Sequence, residues 1–193
     1  SDDSGATWAN VRAAVPGVPK GTWVSRVEAS RSAEGAAYLT FDGHRSDDFK
    51  PYVFVTKDFG KTWTSLAGGI PDGQPVYVIR EDPKNANLLF VGTEFGVFAS
   101  KDGGKQWTQL KGGLPPIPVR DIAIQKREHD LVLGTFGRGF YILDDYSPLR
   151  TATAAGLVTY WLMGLLIIKE KVPAFIITLA TMACGFSVTI CNS

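Results

Sequence analysis

The sequence predicts an all-β fold, a partial β-propeller of about two and a half to three four-stranded blades, followed by an apolar tail. Two observations lead to this prediction. An eight-residue turn pattern occurs three times, and apolar runs of strand length recur between its copies. Beyond residue 150 the composition changes abruptly and long uncharged runs follow. We therefore divide the chain into residues 1–150, blades of a larger propeller, and residues 151–193, a hydrophobic tail predicted to be helical.

The turn pattern reads Ser/Thr-x-Asp-x-Gly-x-Thr-Trp, with copies at residues 1–8, 56–63 and 100–107. In such a turn the Asp carboxylate accepts hydrogen bonds from backbone N–H groups and from the Ser/Thr hydroxyl. The Gly adopts a backbone angle that other residues resist, and the Trp starts the next strand with a large apolar surface to bury. We expect a structural role for the fixed residues of the three copies, which are Asp3, Gly5, Trp8, Asp58, Gly60, Trp63, Asp102, Gly104 and Trp107.

The spacing of the turns suits one four-stranded blade per repeat. Asp3 and Asp58 are 55 positions apart, and Asp58 and Asp102 are 44 apart, which is the period of propeller blades. Closed propellers have about 4–8 blades, so we expect that this chain does not close a ring by itself and that its open blade faces expose apolar surface. A Val-x-x-Ile/Val strand opens each unit, and these strands start at Val24, Val76 and Val119.

The three turns resemble Asp-boxes, also called BNR repeats. These occur in sialidases, in some secreted glycoside hydrolases, in the luminal domain of sortilin and in many exported bacterial proteins. The resemblance implies a β-propeller in which each box joins the third and fourth strands of a blade, on the periphery and away from any active site. It therefore implies a fold and an extracytoplasmic location, secreted or periplasmic, but it does not imply catalysis.

One candidate ligand-binding cluster is the polar stretch 42–50, predicted to be a loop inserted between two strands. It brings together His44, Arg45, Asp47 and Asp48. A His beside carboxylates can do acid–base work or bind a cation, and functional groups concentrate on such loops. The alternative is a surface loop whose charges only pair with one another.

A second candidate ligand-binding residue is Arg138, which stands between two glycines. There its guanidinium could bind a carboxylate or a sugar. The surrounding stretch resembles the Gly-x-His-Gly-Arg-Gly signature at the end of propellers in exported bacterial repeat proteins, with Phe136 in place of the His. The alternative is a turn whose glycines serve only the backbone.

No catalytic residue is assigned from the sequence. A sialidase-like site needs three arginines and a Tyr/Glu nucleophile; Arg26, Arg80 and Arg120 occupy non-equivalent positions, and no Tyr/Glu pair is evident. The spacing of Cys and His indicates no zinc site, and no Gly-rich phosphate loop occurs, so we expect neither metal nor cofactor. The net charge of +1 gives no indication of a nucleic-acid partner.

The tail contains two uncharged runs, residues 156–168 and 172–191. The second has the length of a membrane span of about 20 residues, so we expect that 156–191 can contact a membrane; the alternative is a buried hairpin or core helix. Residues 164–185 resemble a segment of the permeases of ribose-type sugar ABC transporters. The change of character near residue 154 suggests a fusion of two unrelated reading frames.

The sequence favours a non-catalytic role, as a binding or scaffold surface of an exported bacterial protein similar to sortilin-like propellers. Its ligand would be a peptide, a protein or a glycan, and the missing blades of a parent chain would be further partners. One alternative is a fragment of a glycoside hydrolase, sialidase-like or polysaccharide-degrading. Another is a membrane-anchored propeller, or a chimeric fusion with a sugar permease fragment.

Overall fold

A computed structural model of the 193-residue chain describes residues 5–151. The tail predictions, including the membrane segment 156–191 and the permease-like stretch 164–185, therefore lie outside the described residues, as does Asp3. Within residues 5–151 no helix is both long enough and apolar enough to cross a membrane.

The described residues form three antiparallel sheets, in which each strand pairs with the strand that follows it in the chain. The first sheet contains β1 (Trp23–Ala29), β2 (Ala37–Gly43), β3 (Asp48–Thr56) and β4 (Thr64–Ser65). The second contains β5 (Val76–Glu81), β6 (Leu89–Thr93), β7 (Gly96–Ser100) and β8 (Thr108–Leu110). The third contains β9 (Val119–Gln125), β10 (Asp130–Thr135) and β11 (Phe140–Leu143). Short 3-10 turns span Arg12–Ala14, His44–Ser46 and Ser147–Arg150.

The three sheets pack face to face in chain order. Strands β1 and β2 contact β5, and β5 and β6 contact β9. Two apolar clusters fill the two interfaces, because successive side chains of a strand point to opposite faces. In β5, Val78 joins the cluster shared with the third sheet, and Ile79 joins the cluster shared with the first. This arrangement of four-stranded sheets confirms the predicted fold class, an all-β partial propeller.

Both flanking sheets expose some apolar side chains. Val24 and Val27 are exposed on the first sheet, and Phe140 and Ile142 are exposed on the third. In contrast, β6 and β7 are buried at every position, since the middle sheet has a neighbour on each face. An open blade face of the predicted kind is therefore present on the third sheet. On the first sheet a further apolar cluster, in which Val15 and Val18 pack on Phe41 and its neighbours, covers β2 and β3 and leaves apolar residues of β1 exposed.

The two ends of each sheet differ in the connections they carry. We call one the box end; its connections are residues 30–36, 57–63, 82–88, 101–107 and 126–129. We call the opposite one the bulge end; its connections include residues 44–47, 94–95 and 136–139. At the bulge end the first strand of every sheet contains a β-bulge, where the pairing register shifts. The residues in the bulges are Ser25, Tyr77 and Arg120.

Candidate binding face

The turn at residues 56–63 is closed by the carboxylate of Asp58. Its Oδ2 accepts a hydrogen bond from the Thr62 hydroxyl at 2.6 Å, and its Oδ1 accepts bonds from the Thr62 backbone N–H at 2.9 Å and from the Thr56 hydroxyl at 2.8 Å. These bonds, the Thr62 hydroxyl foremost, lower the pKa of Asp58 to about 2 because they stabilise the ionised carboxylate.

The turn at residues 100–107 repeats this geometry with one donor fewer. The Ser100 hydroxyl donates to Asp102 Oδ1 at 2.8 Å, and the backbone N–H groups of Lys105 and Gln106 donate at 2.9 and 3.0 Å. Partial burial acts to raise the pKa of Asp102, but these hydrogen bonds outweigh burial and lower it. Gln106, at the place of Thr62, contributes its backbone N–H.

The tryptophans of the three turns are buried to different extents. Trp8 is 82% exposed, Trp63 is half-buried, and Trp107 is 8% exposed and donates its indole N–H to the Leu66 carbonyl at 2.7 Å. Trp107 is covered because it lies against the core shared by the first and second sheets. The expectation that every such Trp is buried is therefore wrong for Trp8 within the described residues, because no sheet lies beside it there.

The glycine of the second described turn is required by a close approach. Gly104 has a φ of +92°, and a Cβ atom there would lie 2.8 Å from Leu66 Cδ1. Leu66 follows Trp63 by three positions, and Val11, which follows Trp8 by three, lies against Gly60 in the same way. Gly60 and Gly104 therefore each pack on the segment that follows the preceding turn.

The bulge end holds a stacked arginine. The Arg120 guanidinium carbon lies 3.7 Å from the centroid of the Tyr77 ring and 5.6 Å from that of Phe136. Tyr77 is 5% exposed, and its hydroxyl donates a short hydrogen bond to Glu94 Oε2. Burial, and then the bond to Glu94, raise the pKa of Tyr77, so the phenol keeps its proton. Arg120 itself is exposed and has no hydrogen-bond acceptor among residues 5–151.

His44 lies on the other side of Tyr77. The two rings are 6.5 Å apart in an edge-to-face arrangement. His44 Nδ1 is 2.6 Å from Asp42 Oδ2, and the His44 backbone N–H donates to Asp42 Oδ1 at 3.0 Å. Asp42 is buried, so this carboxylate holds the imidazole against the middle sheet.

The other members of the predicted loop cluster do not join His44. Arg45 lies 5.8 Å from the Trp23 ring, Asp48 accepts a 2.7 Å hydrogen bond from the Tyr52 hydroxyl, and Asp47 is exposed with a φ of +54°. The expectation of an inserted loop is also wrong, because residues 42–43 end β2 and residues 48–50 begin β3. The connection is one tight 3-10 turn that separates the four side chains.

Arg138 lies in the turn between β10 and β11, at the same end as Arg120. Its neighbours Gly137 and Gly139 have φ values of +86° and +72°, and the Thr135 hydroxyl donates to the Gly139 carbonyl at 2.7 Å. The glycines therefore serve the turn. Arg138 is exposed, and no residue between 5 and 151 pairs with it.

Two of the three inner-strand arginines are paired across the sheets. Arg26 Nη2 lies 2.6 Å from Asp121 Oδ1, and Arg80 contacts the same oxygen at 3.1 Å and Glu28 at 2.5 Å. These contacts join β1, β5 and β9. Arg120 takes no part in this network, so the three arginines do not form one site.

Sequence reasoning missed the Tyr77–Glu94 pair and the role of Arg120. The two pair members are 17 positions apart and meet only because the β5–β6 pairing places the bulge beside the β6–β7 turn. One signal was available. When the strands are aligned at Val24, Val76 and Val119, the next position holds Ser, Tyr and Arg, and it is the bulge in all three.

Among solved structures, the fold is similar to that of a GH74 xyloglucanase from Xanthomonas campestris, with a TM-score of 0.55 and 19% identity, over 72% of this chain and 23% of that one. It is similar to a GH74 enzyme from Niastella koreensis, with a TM-score of 0.50 and 18% identity, over 63% of this chain and 21% of that one. YCF48 from Cyanidioschyzon merolae has a TM-score of 0.45 and 17% identity, over 65% of this chain and 35% of that one.

These structural neighbours are β-propellers, and at such identities the likeness concerns the fold alone. The chain spans less than a quarter of the length of the two GH74 enzymes. No protein-family model and no curated protein matches the chain. The Asp-box and permease resemblances therefore stay predictions.

Proposed function

We propose that the chain is a non-catalytic β-propeller module that binds another molecule at its bulge end. The observation that carries this proposal is Arg120. Its guanidinium is fixed by stacking on a buried ring, is exposed to solvent, and has no hydrogen-bond acceptor among residues 5–151. A pre-positioned donor group on a rigid sheet end is the arrangement that recognition of a ligand needs.

The state of Tyr77 supports binding over catalysis. A tyrosine nucleophile must reach the substrate and lose its proton. Tyr77 is buried, its ring is covered by Arg120, and its pKa is raised. Glu94 accepts the phenolic hydrogen bond and so holds the ring in place for the arginine.

A glycoside hydrolase fragment is the second candidate function. The similarity in fold to the two GH74 enzymes and the presence of a Tyr–carboxylate pair at a sheet end favour it. In that case the substrate would be a glycan, and the rest of a longer parent would supply the remaining catalytic groups.

The extracytoplasmic location and the origin of the tail are also proposals. The resemblance of the turns to Asp-boxes supports an exported protein. If residues 156–191 anchor it, the chain resists extraction of membranes at alkaline pH. If they come from a fused permease frame, sequencing of the native DNA across codons 145–165 finds a discontinuity.

Two measurements on the full chain test the proposed function. The first is binding to an array of peptides and glycans, for the wild type, for Arg120→Ala and for a control, Arg127→Ala. The control removes an exposed arginine of the box end whose one ion pair within residues 5–151 is with Glu128. We expect binding that Arg120→Ala abolishes and the control retains. The second is release of reducing sugar from xyloglucan and of sialic acid from sialyllactose. Turnover that Glu94→Gln removes would establish the hydrolase instead.

A further inference from the structure

We propose that the ligand of the bulge end is an acidic peptide segment, which places one apolar side chain in a groove beside Phe95 and one carboxylate on the guanidinium of Arg120. This inference rests on the proposed function and names the chemistry of its ligand. It combines two features of the bulge end, the stacked arginine and an apolar groove next to it.

The geometry of Arg120 selects a planar oxyanion. When a guanidinium lies flat on a ring, its N–H groups point outward along its edge and remain available in a fixed fork. Phe136, 69% exposed, flanks the same guanidinium and shields it from water on one side. A carboxylate matches the fork with two parallel hydrogen bonds.

The groove lies between the β6–β7 turn, β8 and the loop that leads to β9. It has a volume of ≈ 290 Å³, which suits one or two side chains. Its walls expose more apolar than polar surface, and Lys111 is the one charged residue that lines it in the described part of the chain. The lining residues used here are Phe95, Leu110, Leu114 and Pro116.

Two elements connect the groove to the arginine. The β6–β7 turn contributes Phe95 to the groove, and its preceding residue, Glu94, holds Tyr77 beneath the guanidinium. The loop that provides Leu114 and Pro116 continues directly into β9, where Arg120 occupies the bulge. The proposed ligand is accordingly a short extended peptide that contacts both features.

The charges of this region favour an acidic partner. The carboxylate of Glu94 accepts the Tyr77 hydroxyl, and that of Asp42 is taken by the His44 ring and backbone N–H. Arg120 and Lys111, in contrast, have no carboxylate within ion-pair distance among residues 5–151. The groove and the arginine thus present two cations that make no ion pair with residues 5–151, and they lie beside apolar carbon, which complements an acidic residue next to an apolar one.

The test uses an array of Gly/Ser decapeptides that carry one Leu and one Asp at spacings of one to four positions. A matched set has Asn in place of Asp, and each peptide is made with a free and with an amidated C-terminus. We expect the full-length wild type to bind a subset of the Asp peptides at least tenfold more tightly than their Asn partners, because the charged bidentate pair is lost in the latter.

Protein variants locate the contact. Arg120→Ala is expected to weaken binding to the Asp peptide at least tenfold and to leave the weak binding to the Asn peptide unchanged. Arg120→Lys keeps the charge but lacks the fork, so its affinity for the Asp peptide is expected to lie between those of the wild type and Arg120→Ala. Phe95→Ser is expected to weaken the binding of the Asp and the Asn peptide equally. Arg127→Ala is expected to leave the binding of both unchanged. If Asn peptides with a free C-terminus bind as tightly as Asp peptides, the C-terminal carboxylate of the peptide is the group that binds Arg120.

Three outcomes overturn the inference. If Asp and Asn peptides with amidated ends bind equally well, the ligand's carboxylate does not contribute to binding. If Arg120→Ala binds Asp peptides as tightly as the wild type does, Arg120 is not the group that binds the carboxylate. Arg120-dependent binding to glycans but to no peptide contradicts this inference and leaves the proposed function standing, whereas binding that never depends on Arg120 contradicts both.

Discussion

The two ends of the middle sheet use charged residues in opposite ways. At the box end, Glu81 and Asp82 are 2% and 1% exposed, and hydrogen-bond donors of neighbouring segments contact both carboxylates. Glu81 accepts hydrogen bonds from the Ser30 and Ser32 hydroxyls at 2.7 Å, which ties the middle sheet to the first. At the bulge end, the Arg120 guanidinium is exposed with no acceptor among residues 5–151.

Asp82 connects the middle sheet to the segment that follows β11. Its carboxylate accepts a 2.7 Å bond from the Tyr146 hydroxyl and lies 2.8 Å from Arg150 Nη2. Tyr146 and Leu149 are fully buried, and the Tyr146 ring packs edge-on against Phe90. The segment after β11 therefore returns to the middle sheet and fastens it. The comparison indicates that the carboxylates of the box end connect the sheets, whereas Arg120 at the bulge end stays exposed.

The largest expected effect is that of Trp107→Ala at the box end. It should lower the free energy of unfolding by about 4 kcal/mol, because a buried ring and its hydrogen bond to the Leu66 carbonyl are lost. Urea unfolding of the full chain, followed by tryptophan fluorescence, measures it. The matched variant Trp8→Ala should change stability by less than about 0.5 kcal/mol. Equal losses of stability for the two variants would mean that the tryptophans of the two turns do not differ in burial.

Asp82→Asn should lower the free energy of unfolding by about 3 kcal/mol, since it leaves the mostly buried Arg150 without its carboxylate. The same urea experiment applies. Asp72→Asn is the control, because Asp72 is an exposed carboxylate with no bond to residues 5–151. A wild-type unfolding curve for Asp82→Asn would mean that the segment after β11 is not fastened by this pair.

Acid should weaken the box end through its carboxylates. The pKa values of Asp58, Asp82 and Asp102 are lowered in the fold, that of Asp58 to about 2. Groups of this kind contribute stability that is present above the unfolded-state pKa of about 3.9 and is lost as the pH falls through the folded value. We expect the free energy of unfolding to decrease between about pH 4 and 2. The Asp82→Asn variant should show a shallower decrease; an identical slope would contradict its contribution.

Tyr77→Phe should lower the free energy of unfolding by about 1 kcal/mol, because the hydrogen bond from the hydroxyl to Glu94 is removed while the ring stays buried. Tyr141→Phe is the matched control, since its hydroxyl has no hydrogen-bond partner among the described residues. Thermal unfolding of the two variants side by side checks this. An unchanged midpoint for Tyr77→Phe would mean that the Tyr77–Glu94 bond does not stabilise the bulge.

The smallest expected effect on stability is that of Arg120→Ala, about 0.5 kcal/mol, which is the worth of an exposed cation–π contact. The same variant is expected to have the largest effect on ligand binding. A decrease in stability comparable to that of Asp82→Asn would instead make Arg120 a structural residue, and the two ends of the sheet would no longer differ.

Much of the fold could be predicted because its signals are local. A Val-x-x-Ile/Val run, a turn with Asp and Gly, and a following Trp each describe a few consecutive residues, and they recur at blade spacing. The candidate site could be predicted less well. His44 and Arg138 lie at the bulge end, but Asp48 pairs with Tyr52, and Arg45 lies by Trp23. Nothing in the spacing of residues 42–50 indicates that His44 turns instead to Asp42 and Tyr77.

By itself the sequence determined most of the strands, the Asp–Gly turns and the order of the sheets, since periodic burial and turn chemistry act over a few residues. Only the tertiary structure decided which side chains of different sheets meet. Glu81 ends β5 and Asp82 follows it directly, yet their side chains point to opposite sheets, where Ser30 and Arg150 complete their hydrogen bonds. Likewise Arg120 lies on Tyr77 only because two bulges from different sheets come into register. Contacts of this kind depend on packing between distant segments, for which no local pattern exists.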